Sequence, residues 1–108
     1  MHSYTAPLKE MRFVMKDLSE LEDICALPGH DDIDVETVDA VLEEGAKFAA
    51  EVLAPLNESG DRHGATMDDD GVIEAPGYRD AYQQYTAGGW TTMPCEPEFG
   101  GMGMPHVA

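Results

Sequence analysis

Residues 34–56 read DVETVDAVLEEGAKFAAEVLAPL, and this stretch decides the fold class. Its apolar residues recur at spacings of three and four, the period of a helix with one buried face. The residues on that face are Val38, Val41 or Leu42, Gly45, Phe48 or Ala49, Val52 and Leu56. Asp34 is a suitable N-cap, and Pro55 predicts a kink or a break just before it. Small residues that would let another helix approach closely are Gly45, Ala46, Ala49 and Ala50.

Two further helices are predicted on either side of this one. The first runs from Leu8 to Ala26 on a similar apolar stripe. The second runs from Gly77 to Ala87, where Gly88 and Gly89 end it. The side chains that share one face of this last helix are Tyr78, Ala81, Tyr82 and Tyr85, and the tyrosines are interpreted as core. No stretch alternates with period two, so no strand is predicted and the class is all-α, a small helical bundle.

The charge balance restricts the partners. The 108 residues hold 22 Asp and Glu against six Lys and Arg, a formal net charge of −16. Such a surface repels nucleic-acid phosphates and anionic lipid headgroups, so DNA, RNA and anionic membranes are excluded as partners. A solvated surface, a sink for divalent cations and a docking face for a basic partner all stay open.

Cysteine usage and hydropathy predict a reduced, cytoplasmic protein. Cys25 and Cys95 lie far apart without a CxxC pattern, so neither a disulfide framework nor a zinc site is expected. No segment reaches the roughly 20 apolar residues of a membrane span. The N-terminus lacks the basic start and apolar core of a signal peptide.

Acidic and histidine-containing stretches do not form a metal motif. The segment MDDDGVIE could belong to a calcium-binding loop with Gly71 in its sixth position, which requires acidic residues in the first and twelfth positions. Those positions hold Thr66 and Gly77, so the segment is interpreted as a solvated turn. The run from His30 to Asp32 is interpreted as a loop. The four histidines, none of them at ligand spacing from another, are His2, His30, His63 and His106. No metal site is predicted.

The segment FGGMGMP at 99–105 raises the possibility of a phosphate loop. It matches neither the dinucleotide fingerprint nor the triphosphate loop, and no lysine follows Lys47. Gly100 and Gly101 are expected to supply positive φ in a tight turn, and Pro105 to begin a helix. Only about one turn of that helix would fit before Ala108. Because one turn is not stable alone, we expect the chain to be part of a longer protein.

Three segments resemble the N-terminal helical domain of flavin-dependent acyl-CoA dehydrogenases. Val52, Pro55 and Asp61 approximate the first family segment, and Gly89 with Trp90 match the second. The third, a P-E-x-x-G-G-x-G pattern, is supplied by Pro97, Glu98, Gly100, Gly101 and Gly103. The opening SYTAPLKEMRFVMKDL resembles the extension of large bacterial members, including the 3-methylmercaptopropionyl-CoA dehydrogenase branch. The resemblance divides the chain into an extension helix at 1–30 and the start of the helical domain at 31–108.

The resemblance implies a parent flavoprotein of fatty acid metabolism that binds FAD and oxidises acyl-CoA to trans-2-enoyl-CoA. A carboxylate base removes the α-proton while the β-hydrogen leaves as hydride to the flavin. The implied partners are the remaining domains of the parent, the acyl-CoA substrate and an electron-transfer flavoprotein, in a homo-oligomer. The catalytic glutamate, the acyl pocket and most FAD contacts of the family lie further along than this chain reaches.

We therefore predict no catalytic, cofactor-binding or metal-binding residue in these 108 residues, and no activity for the chain alone. Pro97, Glu98 and the neighbouring glycines are interpreted as architectural. Two alternatives stay open: a stand-alone acidic helical module that binds a basic partner, and a fragment of an acyl-CoA oxidase.

Overall fold

The computed structural model describes residues 3–108, so Met1 and His2 lie outside the described residues. Helix α1 spans Leu8–Phe13, a π-helical turn spans Val14–Leu18, and helix α2 spans Leu21–Cys25. The single helix predicted from Leu8 to Ala26 is wrong, because the chain turns at Glu20, which has a left-handed φ of 53°.

The physical reason for this interruption is burial. It brings both Met15 and Leu21 into the core, with 5% and 0% of their surface exposed. Burying two such side chains is worth about 1.5–3 kcal/mol each. A left-handed residue costs only about 1–2 kcal/mol. Tertiary packing therefore outweighs the local helical preference.

A long helical rod follows, at residues 35–63. Helix α3 spans Val35–Phe48, a second π-helical turn spans Ala49–Leu53, and helix α4 spans Ala54–His63. Asp34 caps the rod as predicted, since its Oδ1 accepts a hydrogen bond from the Thr37 backbone N–H at 2.7 Å. Thr37 also donates its hydroxyl to Asp34 Oδ1, and these two bonds lower the Asp34 pKa.

The rod does not break at Pro55, but a π-helical turn at Ala49–Leu53 forms an irregularity just before it, where a kink or a break is predicted. Ala54 keeps helical angles and donates its N–H to the Ala49 carbonyl, five residues back. Proline has no N–H to give to the carbonyl four residues earlier. The wider turn immediately before Pro55 accommodates this loss while the backbone stays helical.

A short β-hairpin follows the rod, and here the prediction of no strands is wrong. Strand β1, Thr66–Asp68, pairs antiparallel with strand β2, Gly71–Ile73. The turn between them is closed by Asp68 Oδ1, which accepts from the Asp70 N–H at 2.8 Å. Strands of three residues are too short to show an alternating pattern. The interpretation of the acidic run as an exposed turn is confirmed.

Helix α5, Tyr78–Ala87, agrees with the predicted third helix to within one residue. Gly89, with φ of +79°, follows its end as predicted. The interpretation as core is wrong for Tyr78 and Tyr82, which are 42% and 65% exposed, whereas Tyr85 is partly buried and its ring packs against Phe48. Ala81 makes the buried contact of this helix instead, and it is small enough to let the backbone lie close to its neighbours.

The main core combines three distant parts of the sequence. Its four most buried side chains are Met15, Leu21, Val38 and Met104. Ile33 packs against this cluster from the segment before the rod, Val41 from the rod itself, and Met93 from the loop after α5. The predicted all-α class is confirmed, with the hairpin as a small addition.

The molecule is elongated and flat, with principal extents of 52 × 34 × 17 Å. Its radius of gyration is 17.1 Å, whereas a compact domain of this length has about 13 Å. Its accessible surface is 7891 Å², against about 5,900 Å² for a compact protein of this mass. We call the region around the main core the packed end, and α4 with the hairpin and α5 the hairpin end.

Candidate functional site

Residues 93–104, which we call the glycine loop, carry the segment that resembles a family motif. A short 3₁₀ turn at Trp90–Thr92 precedes this loop and another spans Pro97–Phe99 within it. The loop closes on itself through backbone hydrogen bonds. Gly103 N–H donates to the Cys95 carbonyl at 2.8 Å, and Met104 N–H donates to the Met93 carbonyl at 3.1 Å. The loop is therefore a fixed structural unit that ends by inserting Met104 into the core.

The glycines of this loop have different structural roles. Gly100 and Gly103 have φ of +86° and +67°, in the region that favours glycine. Gly101 does not have a positive φ, so that prediction is wrong for this residue. A Cβ on Gly101 would instead collide with the backbone carbonyls of Cys95 and Thr92. Gly101 is therefore required for close approach between two backbone segments.

The glycine loop is unsuited to hold a phosphate. A phosphate cradle needs backbone N–H groups that point at the ligand. Here the N–H groups of Phe99, Gly100 and Gly101 all donate to carbonyls at residues 96 and 97, at 3.0–3.1 Å. With the N–H groups of Gly103 and Met104 also bonded internally, these donors are not free for an anion. The interpretation of the glycines as architectural agrees with this geometry.

Pro105 begins a turn rather than a helix within the described residues. Ala108 donates its N–H to the Pro105 carbonyl at 3.0 Å, which closes a single turn. Val107 packs against the main core. The C-terminal residues are thus held against the packed end.

Trp90 packs on the rod rather than on the tyrosine face of α5. Its ring centroid lies 6.3 Å from that of Phe48, and the Phe48 ring lies 6.1 Å from Tyr85. A Cβ on Gly45 would lie 3.6 Å from the Trp90 ring. At Gly45, the first of the small residues on α3, the close approach is thus made by an indole ring.

An apolar cleft of about 200 Å³ opens beside Trp90. Its walls come from the N-terminal segment with α1, from the small-residue face of the rod and from the residues around the glycine loop. We define this apolar cleft by Tyr4, Met11, Gly45, Ala46, Trp90 and Ala108, which all lie in its wall. The sequence contained one signal for it, the small residues at 45, 46 and 49, but the other walls come from distant positions.

An ion cluster fixes α1 against α3 next to this cleft. Arg12 Nε donates to Asp39 Oδ1 at 2.6 Å, and the same guanidinium also pairs with Glu43. Lys16 adds a longer contact to Asp39 at 3.7 Å. Hydrogen bonding from Arg12 lowers the pKa of Asp39 and raises that of Arg12 itself. These groups lie at a partly exposed surface, so the cluster positions the N-terminal helix and shows no reactive arrangement.

The remaining candidate residues do not converge. Among residues 3–108, no group of three or more His, Cys, Asp or Glu side chains is placed to hold a metal ion. His30 Nδ1 is buried without a hydrogen-bond partner. His63 lies on α4, far along the chain, where its Nδ1 is 2.7 Å from the Ser59 carbonyl oxygen. Both cysteines are free, and burial raises the pKa of the Cys25 thiol.

Within the part of the chain that the structure describes, no helix has the length and apolar character needed to cross a bilayer.

Comparison with known proteins identifies one strong similarity. The chain is 35% identical over 105 residues to a 3-methylmercaptopropionyl-CoA dehydrogenase from Ruegeria pomeroyi. The match covers 97% of this chain and 18% of that protein, so the chain spans less than a fifth of its relative. No family model matches the chain. The resemblance to an acyl-CoA dehydrogenase is confirmed by this match over nearly the whole chain.

Proposed function

We propose that this chain is the N-terminal helical region of an FAD-dependent acyl-CoA dehydrogenase that oxidises acyl-CoA to trans-2-enoyl-CoA in the cytoplasm. The observation that carries the proposal is the 35% identity to a 3-methylmercaptopropionyl-CoA dehydrogenase over 97% of the chain. The relative is named for a sulfur-containing acyl-CoA, and we propose a substrate of the acyl-CoA thioester class. The electron acceptor is an electron-transfer flavoprotein, and the parent acts in fatty acid metabolism as a homo-oligomer.

The shape of the chain supports a role inside a larger protein. Its accessible surface exceeds that of a compact protein of its mass by roughly a third. Large apolar side chains remain exposed at both ends, among them Leu18 at 65% at the packed end and Met67 at 76% at the hairpin end. Such surface is normally covered by a partner or by further domains.

The described residues do not fit FAD, which supports a flavin site in the rest of the parent. A dinucleotide pyrophosphate needs free N–H donors or basic side chains. Five N–H groups of the glycine loop are bonded to carbonyls within the loop, and the chain carries a formal net charge of −16. The apolar cleft has a volume of about 200 Å³ and few polar groups in its walls. The chain therefore contributes structure to the parent, and we assign it no catalytic residue.

The test compares two proteins from the same gene, the 108-residue chain and the product of the whole reading frame. We expect the longer protein to purify with the visible absorbance of a flavin and to bleach when an acyl-CoA is added. We expect the 108-residue chain to retain no flavin. A longer product without flavin, or flavin reduction by the short chain, would contradict the proposal.

The electron acceptor is tested on the same longer protein. Rapid reoxidation of the reduced flavin by dissolved oxygen would identify an oxidase instead. Slow reoxidation by oxygen, with fast transfer to an electron-transfer flavoprotein, is the expected result.

A further inference from the structure

We infer that residues 3–13, which we call the strap, are held closed across the rod by an electrostatic latch that salt opens. The strap contains α1, and the π-helical turn at Val14–Leu18 directly follows it. Such a turn interrupts the regular helical hydrogen bonds, so it provides the hinge. The inference concerns a conformational change within this chain and does not depend on the proposed function.

The distribution of charge sets the strap and its hinge apart from the rest of the chain. Residues 3–18 carry three of the six basic residues, Lys9, Arg12 and Lys16, and only two of the 22 acidic ones. Residues 19–108 carry the other three basic residues against 20 acidic ones. A weakly basic segment thus lies on a strongly acidic body, and this attraction favours the closed strap at low ionic strength.

Arg12 is the centre of the latch. Its Nε donates to Asp39 Oδ1 at 2.6 Å, and the same guanidinium pairs with Glu43, one helical turn further along α3. Lys16 in the hinge adds its contact to Asp39 at 3.7 Å. The side chains of Arg12, Asp39 and Glu43 keep between 30% and 47% of their surface exposed. Dissolved ions therefore reach these pairs and weaken them.

The apolar contacts of the strap are weaker than those of the segment that follows it. No residue of α1 is buried, and Met11 in the cleft wall stays 39% exposed. Met15, in the hinge, is the first buried side chain among the described residues. The firm attachment to the core thus begins only after the strap. A helix of six residues is not stable alone, so α1 unfolds when the latch opens.

Opening of the strap uncovers one side of the apolar cleft. Tyr4, Leu8 and Met11 belong to the strap and lie in the cleft wall, as do Gly45 and Trp90 on the other elements. The partly buried Trp90 ring therefore becomes more accessible to solvent when the strap leaves.

Amide hydrogen exchange on the 108-residue chain, measured by NMR at about 10 mM and about 1 M NaCl, tests the latch. The amides at 11–13 report on the strap, since the Met11 N–H donates to the Pro7 carbonyl at 3.0 Å. We expect their exchange to accelerate about fivefold with salt. The protection of the Val38 and Met104 amides should stay constant or increase, because salt screens the repulsion within the acidic body.

Variants separate the latch from a general effect of salt. In Arg12→Gln the same amides should exchange about as fast at low salt as those of the wild type do at high salt. Comparing the two proteins at each salt concentration cancels the effect of salt on the exchange chemistry. Arg62→Gln is the matched control, because it removes the same charge and an ion pair to Glu58 within α4. It should leave the strap closed.

A third variant and a second probe sharpen the test. Glu43→Gln leaves Asp39 in place and should give exchange between those of the wild type and Arg12→Gln. It carries the comparison if Arg12→Gln loses its helical circular dichroism. Quenching of Trp90 emission by acrylamide, which is uncharged, should increase with salt in the wild type and be already high in Arg12→Gln.

Several outcomes would overturn the inference. One is an equal response of the 11–13 amides to salt in the wild type and in the folded latch variants. Another is protection of these amides by salt, in parallel with the core. An Arg62→Gln chain whose strap opens as far as that of Arg12→Gln would show that net charge alone, rather than the latch, controls the strap.

Discussion

Leu21 at the packed end has no exposed surface, whereas Val72 at the hairpin end is 66% exposed. The first lies in a core built from α1, α2, the start of α3 and the glycine loop. The second lies in a two-stranded hairpin whose six strand residues are all exposed. An isolated hairpin of this kind is marginally stable in water. The packed end thus supports itself, and the hairpin end depends on its attachment to the rod.

The contacts that do hold the hairpin end are few and specific. Gly77 lies close to Leu56 on α4, because a Cβ added to Gly77 would be only 2.7 Å from Leu56 Cδ2. The Tyr78 hydroxyl donates to the Leu56 carbonyl at 3.4 Å. The Glu74 carboxylate accepts from Arg79 Nη2 at 3.1 Å, at the exposed surface. The contacts of Leu56 and the Phe48–Tyr85 ring pair join α5 to the rod, and the hairpin end has no second core of comparable size among residues 3–108.

The largest expected difference between the ends comes from truncating one apolar residue in each. Leu21→Ala should lower the free energy of unfolding by about 3–4 kcal/mol, because it leaves a cavity in the core. Val72→Ala should lower it by less than about 0.5 kcal/mol, because the side chain is mostly in water. Urea denaturation followed by circular dichroism measures both. Equal losses would remove the distinction between the two ends.

The glycine loop gives the next largest effect. Gly101→Ala should lower the free energy of unfolding by about 2 kcal/mol or more, because the added Cβ would collide with the backbone of Cys95. Gly100→Ala is the matched control: its φ of +86° is strained for alanine but the space is open, so it should cost only about 1 kcal/mol. The same denaturation assay compares the two variants. A larger loss for Gly100→Ala would mean that backbone angle, rather than close approach, controls this loop.

Trp90 lies between the two ends and tests how they are joined. Trp90→Ala should lower the free energy of unfolding by about 2 kcal/mol. The half-buried Trp90 ring covers Gly45 and Phe48, so its removal leaves a partial cavity. Phe48→Ala in the Trp90→Ala background should then cost less than Phe48→Ala alone, which a double-mutant cycle measures. A loss below about 1 kcal/mol would show that the ring does not connect loop and rod.

The smallest expected effect is a pH dependence at the packed end. Hydrogen bonding from Arg12 lowers the pKa of Asp39 in the folded chain. The Asp39–Arg12 pair therefore stabilises the fold fully at pH values above the pKa of Asp39 in the unfolded chain, which is about 4. This stabilisation is lost as the pH falls through the lowered pKa. The difference in melting temperature between wild type and Asp39→Asn should therefore be largest at pH 7 and shrink in acid. A difference that grows in acid would contradict this assignment.

Features that depend on local sequence could be predicted. The Asp34 cap, the start of α5 and its glycine stop follow from residues within a few positions of each other. Features that depend on distant contacts could not. The interruption at Glu20 exists because Leu21 finds a place beside Val38 and Met104, and nothing near Glu20 in the sequence signals it.

The candidate site follows the same rule. The positive φ of Gly100 could be predicted from the paired glycines of the loop. The role of Gly101 could not, because it depends on the carbonyls of Thr92 and Cys95 folding back onto it. The apolar cleft joins positions as distant as Tyr4 and Ala108, so only its small-residue floor left a trace in the sequence.

Amide hydrogen exchange on the 108-residue chain compares the two ends most directly. The amides of α3 near Val38 and those of Gly103 and Met104 should exchange at least about tenfold more slowly than the hairpin amides at 66–73, since the core restricts local opening. Equal protection at both ends would contradict the account of a self-supporting packed end beside a dependent hairpin end.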